Sequence, residues 1–248
     1  MVVTRLRTAY RSRLARRELA ALAPEDRRIV ARCLPYTLTS VQRLLAVVDA
    51  VRYCAARELP GAFAECGVWR GGSVLAMALT LQDLGRADRD LYLYDTFEGM
   101  TEPTGHDVSR HERPALETWR RAQAAGGRAW AELFDPSQFG EDAVRELLLG
   151  TGYPAGRVHV VRGAVEDTLP AHAPEALALL RLDTDWYEST RHELRELYPR
   201  LASGGVLIVD DYGHWDGARR AVDEYFAAAG PAPLLQRTDY TGRMAVKP

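Results

Sequence analysis

The sequence predicts an α/β fold: a mostly parallel sheet with helices on both faces and an antiparallel edge at its C-terminal end. Three observations carry this expectation. Five short runs are continuously apolar, helical stretches fall between or after most of them, and a glycine turn joins the first run to a helix. A strand buried on both faces needs no polar alternation, and crossover helices supply its cover. With 248 residues, the chain is long enough for one such unit plus an N-terminal segment. Its 47% apolar and 27% charged content is that of an ordinary globule and excludes a disordered or fibrous chain.

The first 35 residues open with an arginine-rich stretch in which Leu6, Tyr10, Leu14 and Leu22 keep helical spacing. A partly buried surface helix is expected there, serving as a lid or an oligomer contact, in preference to a transit peptide or an anion-binding helix. Residues 38–57 place Leu44, Val47, Val48, Val51 and Cys54 on one helical face, behind Thr39 or Ser40 as N-cap. Pro60 and Gly61 end that helix. The first strand, AFAEC (62–66), then runs through Gly67, Gly71 and Gly72 into the helical SVLAMALTLQDL. Further strands are LYLYD (91–95), VHVVR (158–162), ALLRLD (178–183) and GVLIVDD (205–211), with helices over 141–149, 189–201 and 217–229. Residues 234–238 and 243–247, separated by a turn containing Gly242, form the antiparallel pair and bring the sheet to seven strands. One connection is far longer than a crossover needs: residues 97–157, with a helix around Ala115 to Ala125, are expected to be a lid or binding element inserted into a domain spanning 36–248.

Charge and cysteine content narrow the function. Lys and Arg number 32 against 34 Asp and Glu, a net charge of −2, so nucleic acid is not an expected partner and a small molecule is. Cys33, Cys54 and Cys66 are odd in number and lack a C-x-x-C pair, which suggests neither a disulfide framework nor zinc and points to the reducing cytoplasm. No apolar run approaches the roughly 18 residues of a membrane span, so no membrane association is expected.

Three motifs carry chemistry. In ECGVWRGGS, Glu65, Gly67 and Gly71 stand as E-x-G-x-x-x-G between a strand and a helix, where helix N-terminal amides meet a ligand, rather than as the G-x-G-x-x-G of a dinucleotide site. Asp95 ends the second strand, where an acidic side chain can accept both ribose hydroxyls of an adenosine. Asp183, Asp185, Asp210 and Asp211 close the fourth and fifth strands, at the end of a sheet where ligands bind. Carboxylates gathered so closely need protonation, basic partners or a hard divalent cation, and an all-oxygen set favours Mg2+, Mn2+ or Ca2+ over zinc. His214, three residues past Asp211, is a rival proton acceptor or a substrate contact. Trp69, Trp186 and Tyr187 are candidate walls, and Phe97 and Met100 stand where the long insertion leaves the second strand.

The blocks AECGVWRGGS, LYLYDTFEGMTEP, VEDTLP, LRLDTDWYEST and IVDDYGHWDGARRAVDEY closely resemble the signatures of the TylF/MycF family, metal-dependent O-methyltransferases acting largely on sugar hydroxyls of macrolides and related natural products. The glycine turn by itself resembles motif I of class I S-adenosylmethionine methyltransferases. The resemblance runs from about Tyr36 to the C-terminus and implies their Rossmann-like fold. It implies Asp183, Asp210 and Asp211 as ligands of Mg2+ (or Mn2+) and Asp185 as general base. It also implies a cofactor pocket for S-adenosylmethionine made by Glu65, Gly67, Val68, Gly71, Gly72, Ser73, Asp95, Thr96, Phe97, Gly163, Val165 and Asp183. The implied acceptor is a glycosylated natural product or an activated sugar. A homo-oligomer is expected on a different ground, the amphipathic N-terminal segment that one domain does not fully cover. Ala164 and Val165 depart from the bulkier aromatic residues expected beside the adenine. Residues 1–35 and much of 108–157 carry no such block, and acceptor choice would reside there. A catechol or phenolic O-methyltransferase and a non-catalytic nucleotide-binding module are the alternatives.

Overall fold

In the computed structural model, residues 16–135, 138–230 and 232–248 are described. Strands β1 (Ala62–Cys66), β2 (Leu91–Asp95), β3 (Val158–Arg162), β4 (Leu177–Leu182), β5 (Leu201–Val209), β6 (Gln236–Arg237) and β7 (Arg243–Val246) form one sheet in the order β3-β2-β1-β4-β5-β7-β6. Pairing is parallel from β3 across to β5 and antiparallel at β7 and β6. The chain builds outward from β1 to β3, then returns to the far side of β1 to lay down β4 and β5. The strand order therefore reverses between β1 and β4, and a crevice opens at their carboxyl ends.

Every residue of β1 and β4 is buried, as continuous apolar runs covered on both faces require. One face is packed by helices α1 (Pro24–Cys33), α2 (Val41–Ala56), α3 (Gly72–Asp83) and α5 (Glu141–Leu149), through Ile29, Leu44, Val48, Leu75 and Leu148. The other is covered by α6 (Val165–Thr168), α7 (Tyr187–Leu197) and α8 (Asp216–Ala229), through Leu194, Leu197, Val222 and Phe226. The insertion carries α4 (Ala115–Ala124) and a 3-10 turn at Ala131–Leu133 before α5.

The structure moves several element ends. Ser40, not Thr39, caps α2, its hydroxyl accepting from the Arg43 N–H at 3.1 Å. Helix α7 stops at Leu197 rather than near 201, because Pro199 has no N–H to continue it; a 3-10 turn over Tyr198–Arg200 leads directly into β5, which starts at Leu201. Leu6, Tyr10 and Leu14 lie outside the described residues, whereas Leu22 is partly buried against the core and α1 adds Ile29, Val30 and Cys33 to it. All three cysteines are buried and free of disulfides. Among the described residues, no helix is long and apolar enough to cross a membrane.

Candidate active site

The crevice begins with a close approach of two strand ends. Beyond β1 the Gly67 N–H donates to the Tyr94 carbonyl at 2.8 Å, and the Asp183 N–H donates to the Cys66 carbonyl at 2.8 Å. Gly67 has φ +83°, and a Cβ there would sit 1.9 Å from the Asp183 carbonyl oxygen. Only glycine meets both conditions. Gly67→Ala is therefore expected to lower the free energy of unfolding by at least about 2 kcal/mol, read by chemical denaturation. At the start of α3, a Cβ on Gly72 would meet the Tyr36 carbonyl oxygen at 2.7 Å. The segment Tyr36 to Thr39 thus rests on the glycine turn and becomes a wall of the crevice.

Asp95 fixes the turn from the neighbouring strand. Its Oδ2 accepts the N–H groups of Val68 and Trp69, both at 2.8 Å, and its Oδ1 accepts that of Phe97 at 2.7 Å. Burial pushes its carboxyl up, and those three bonds act against the shift. The residue expected to meet a ribose therefore also organises the loop around it.

At the ends of β4 and β5, Asp183, Asp210 and Asp211 each offer an oxygen, all within 4.8 Å of one another. The structure supplies two basic partners that sequence reasoning missed. Arg181, 1% exposed, donates from Nη1 to Asp183 Oδ2 at 2.6 Å and to Glu65 Oε1, and from Nη2 to Asp210 Oδ1. Arg43, from α2, bonds Asp210 Oδ2 and reaches Asp239 Oδ2 at 3.0 Å. A lone charge inside the apolar strand ALLRLD was the available signal for Arg181. Two guanidiniums do not balance Glu65, Asp183, Asp185, Asp210 and Asp211. Burial pushes Asp211 well up, and the charges of Asp185 and Asp183 add to it. Burial, followed by the charge of Asp183, pushes Asp185 up to about 7, while a hydrogen bond from Trp215 acts against it. An acidic surplus of oxygen donors fits a hard divalent cation.

Asp185 is held in a left-handed conformation, φ +68°, with its N–H donating to Asp211 Oδ2 at 3.2 Å and Trp215 Nε1 donating to its Oδ1 at 2.8 Å. Below it, the Thr184 hydroxyl donates to buried Glu193 of α7 at 2.9 Å. The insertion is anchored to the same loop: Trp186 Nε1 donates to the Thr101 carbonyl at 3.0 Å, and buried Asp107 accepts the Tyr187 N–H at 2.7 Å. His214 has both nitrogens occupied, Nδ1 by the Tyr240 hydroxyl at 3.0 Å and Nε2 by Glu112 Oε1 at 3.3 Å.

These groups surround a cavity of ≈ 330 Å³, the size of a small-molecule site. Of the residues singled out in the sequence, Glu65, Gly67, Val68, Gly72, Ser73, Asp95, Thr96, Gly163, Val165, Asp183, Asp185, Asp210, Asp211 and His214 line it, as do Trp69, Met100 and Trp186. Gly71, Phe97 and Tyr187 do not. Gly71 caps α3 facing Val144 and Leu147, Phe97 is buried with its ring 6.3 Å from that of Phe139, and the Tyr187 hydroxyl donates to Glu224 at 2.6 Å. Leu38, Trp130, Phe134 and Tyr240 are additional lining residues.

The chain is similar to known proteins over most of its length. The family model for TylF, described as macrocin-O-methyltransferase, matches residues 5–245. The chain is 34% identical over 224 residues to the 8-demethyl-8-(2,3-dimethoxy-alpha-L-rhamnosyl)-tetracenomycin-C 4'-O-methyltransferase of Streptomyces olivaceus, covering 88% of this chain and 78% of that protein. It is 31% identical over 207 residues to the demethyldecarbamoylnovobiocin O-methyltransferase of Streptomyces niveus, covering 84% and 74%. The mycinamicin III 3''-O-methyltransferase of Micromonospora griseorubida is 30% identical over 209 residues, covering 84% and 76%. Among solved structures, the O-methyltransferase NovP superposes with a TM-score of 0.72 at 31% identity, over 86% of this chain and 82% of NovP.

Proposed function

The chain belongs to the TylF macrocin-O-methyltransferase family, and from that premise we propose that it transfers a methyl group from S-adenosylmethionine to a sugar hydroxyl of a glycosylated natural product, using Mg2+ or Mn2+. The observation that carries this reading is the convergence, in one cavity, of three carboxylates with oxygens within 4.8 Å, of Asp185 beside them, and of Glu65 and Asp95 at the neighbouring strand ends.

An aliphatic hydroxyl is a poor nucleophile because it holds its proton far above neutral pH. Asp183, Asp210 and Asp211 would hold the divalent cation, whose chemistry is to acidify and orient a bound hydroxyl. Glu65 would face the ammonium of the methyl donor and Asp95 its ribose; the donor's carbon–sulfur bond breaks, with its electron pair left on sulfur, as the carbon–oxygen bond forms. Asp185 takes the hydroxyl proton. Trp215 fixes one of its oxygens, so the carboxylate is oriented before the acceptor arrives. Trp130, Trp186 and Trp215 shield that corner of the cavity from water. The reading extends to a homo-oligomer acting on small molecules in the reducing cytoplasm, the compartment that three thiols free of disulfides suit.

Incubating the protein with labelled donor and a panel of glycosylated metabolites, beside a simple catechol, tests the proposal by mass spectrometry of the products. Methylation of a sugar is the expected result. Methylation of the catechol alone would assign a phenolic acceptor, and donor binding with no product from any acceptor would mark a non-catalytic module. Asp95→Ala is expected to weaken donor affinity by about 10- to 100-fold in calorimetry, through the lost ribose contact and the loosened glycine turn. An unchanged affinity would place the ribose elsewhere.

A further inference from the structure

Glu65 lines the cavity at 2% exposure, yet among the described residues only its Oε1 is engaged, by Arg181; Oε2 is enclosed with no hydrogen-bond partner among them. A carboxylate oxygen at that depth is costly unless it meets a donor. The sheet register pairs Glu65 of β1 with Arg181 of β4, so the contact crosses the point where the strand order reverses. The guanidinium is not free to turn: Asp183 takes Nη1 at 2.6 Å and Asp210 takes Nη2. One planar fork thus spans the carboxylate on the β1 side and two carboxylates of the acidic cluster.

We propose that Arg181 is a positioning residue for recognition of the methyl donor: held by Asp183 and Asp210, its fork occupies Glu65 Oε1 and presents Oε2 as the acceptor for the donor's ammonium group. The proposal rests on the reading that Glu65 meets that ammonium. Asp183 and Asp210 gain a second task, anchoring the residue that prepares the donor side. Lysine cannot replace arginine in this role, because an ammonium is a point charge and does not span three carboxylates as a rigid fork does.

The test compares, by calorimetry, the affinities of S-adenosylhomocysteine and its analogue lacking the amino group. The wild-type protein should prefer the amino compound by about 10- to 100-fold, the worth of a hydrogen bond to a charged group. Glu65→Gln should bring the preference to about threefold or less, since a neutral amide lacks the charge. Arg181→Met should do the same in folded protein, and Arg181→Lys should leave no more than about one third of the wild-type preference. A purely structural role would lower both affinities together and leave their ratio in place. If Glu65→Gln keeps the full preference, the assignment of Glu65 fails and the proposal with it. If Glu65→Gln loses it while a folded Arg181 variant keeps it, only the proposal is overturned. Failure of both Arg181 variants to fold would also overturn it, by making Arg181 an element of stability.

Discussion

Asp185→Asn is expected to lower turnover by about 10² or more, the usual range for a lost general base, with affinities for methyl donor and divalent cation near those of the unaltered protein. Asn tolerates the left-handed backbone as Asp does, so the φ of +68° survives the exchange. Its amide oxygen can still accept the bond that Trp215 gives to Oδ1, which preserves the loop. What disappears is the capacity to take a proton beside the acidic cluster. His214 is the rival, but its nitrogens are engaged by Tyr240 and Glu112. Steady-state turnover together with calorimetry checks the expectation; undiminished turnover in the variant would transfer the role of base away from Asp185.

Removal of divalent cation should have a comparable effect. Chelation by EDTA is expected to reduce methyl transfer by at least about 10²-fold, with recovery on adding Mg2+, because an unactivated sugar hydroxyl gives up its proton so reluctantly. Activity that persists in chelator would remove the cation from the mechanism. A related outcome follows from the protonation of the cluster. Burial pushes Asp185 up to about 7 and Asp211 well above its ordinary range. A carboxyl whose folded value lies above its unfolded one, about 4, stabilises at low pH and loses that contribution as pH rises toward the folded value. Over the same interval the deprotonated cluster binds a cation better, so the rise in melting temperature produced by Mg2+ should be larger at pH 8 than at pH 6. A Mg2+ effect that shrinks with rising pH would contradict this picture.

The alternation of apolar runs with helical stretches gave the sheet and its order of elements, since a strand buried on both faces advertises itself by composition alone. Glu65, Asp95 and the Asp183 to Asp211 set were legible for a related reason: they stand at strand ends, where topology gathers them. Arg181 was hidden within an apolar run because its role depends on cross-strand register with Glu65, a property of pairing that no single strand reveals. Arg43 and Asp239 lie far apart in sequence and meet only when α2 packs near the C-terminal hairpin. The wall made by Tyr36 to Thr39 escaped notice because it depends on how closely that segment approaches Gly72. The insertion contributed Glu112 and Trp130 without a motif, since a cavity wall requires shape rather than a fixed spacing. Element ends moved where one residue decides them, as Pro199 does at the end of α7.

The central claim is that Asp183, Asp210 and Asp211 together hold a doubly charged ion within reach of Asp185. Anomalous diffraction from crystals grown with Mn2+ tests it most directly. One anomalous peak bounded by those three carboxylates is the predicted result. The absence of a peak there, at a Mn2+ concentration that supports full turnover and with Arg43 and Arg181 still occupying Asp210, would contradict it.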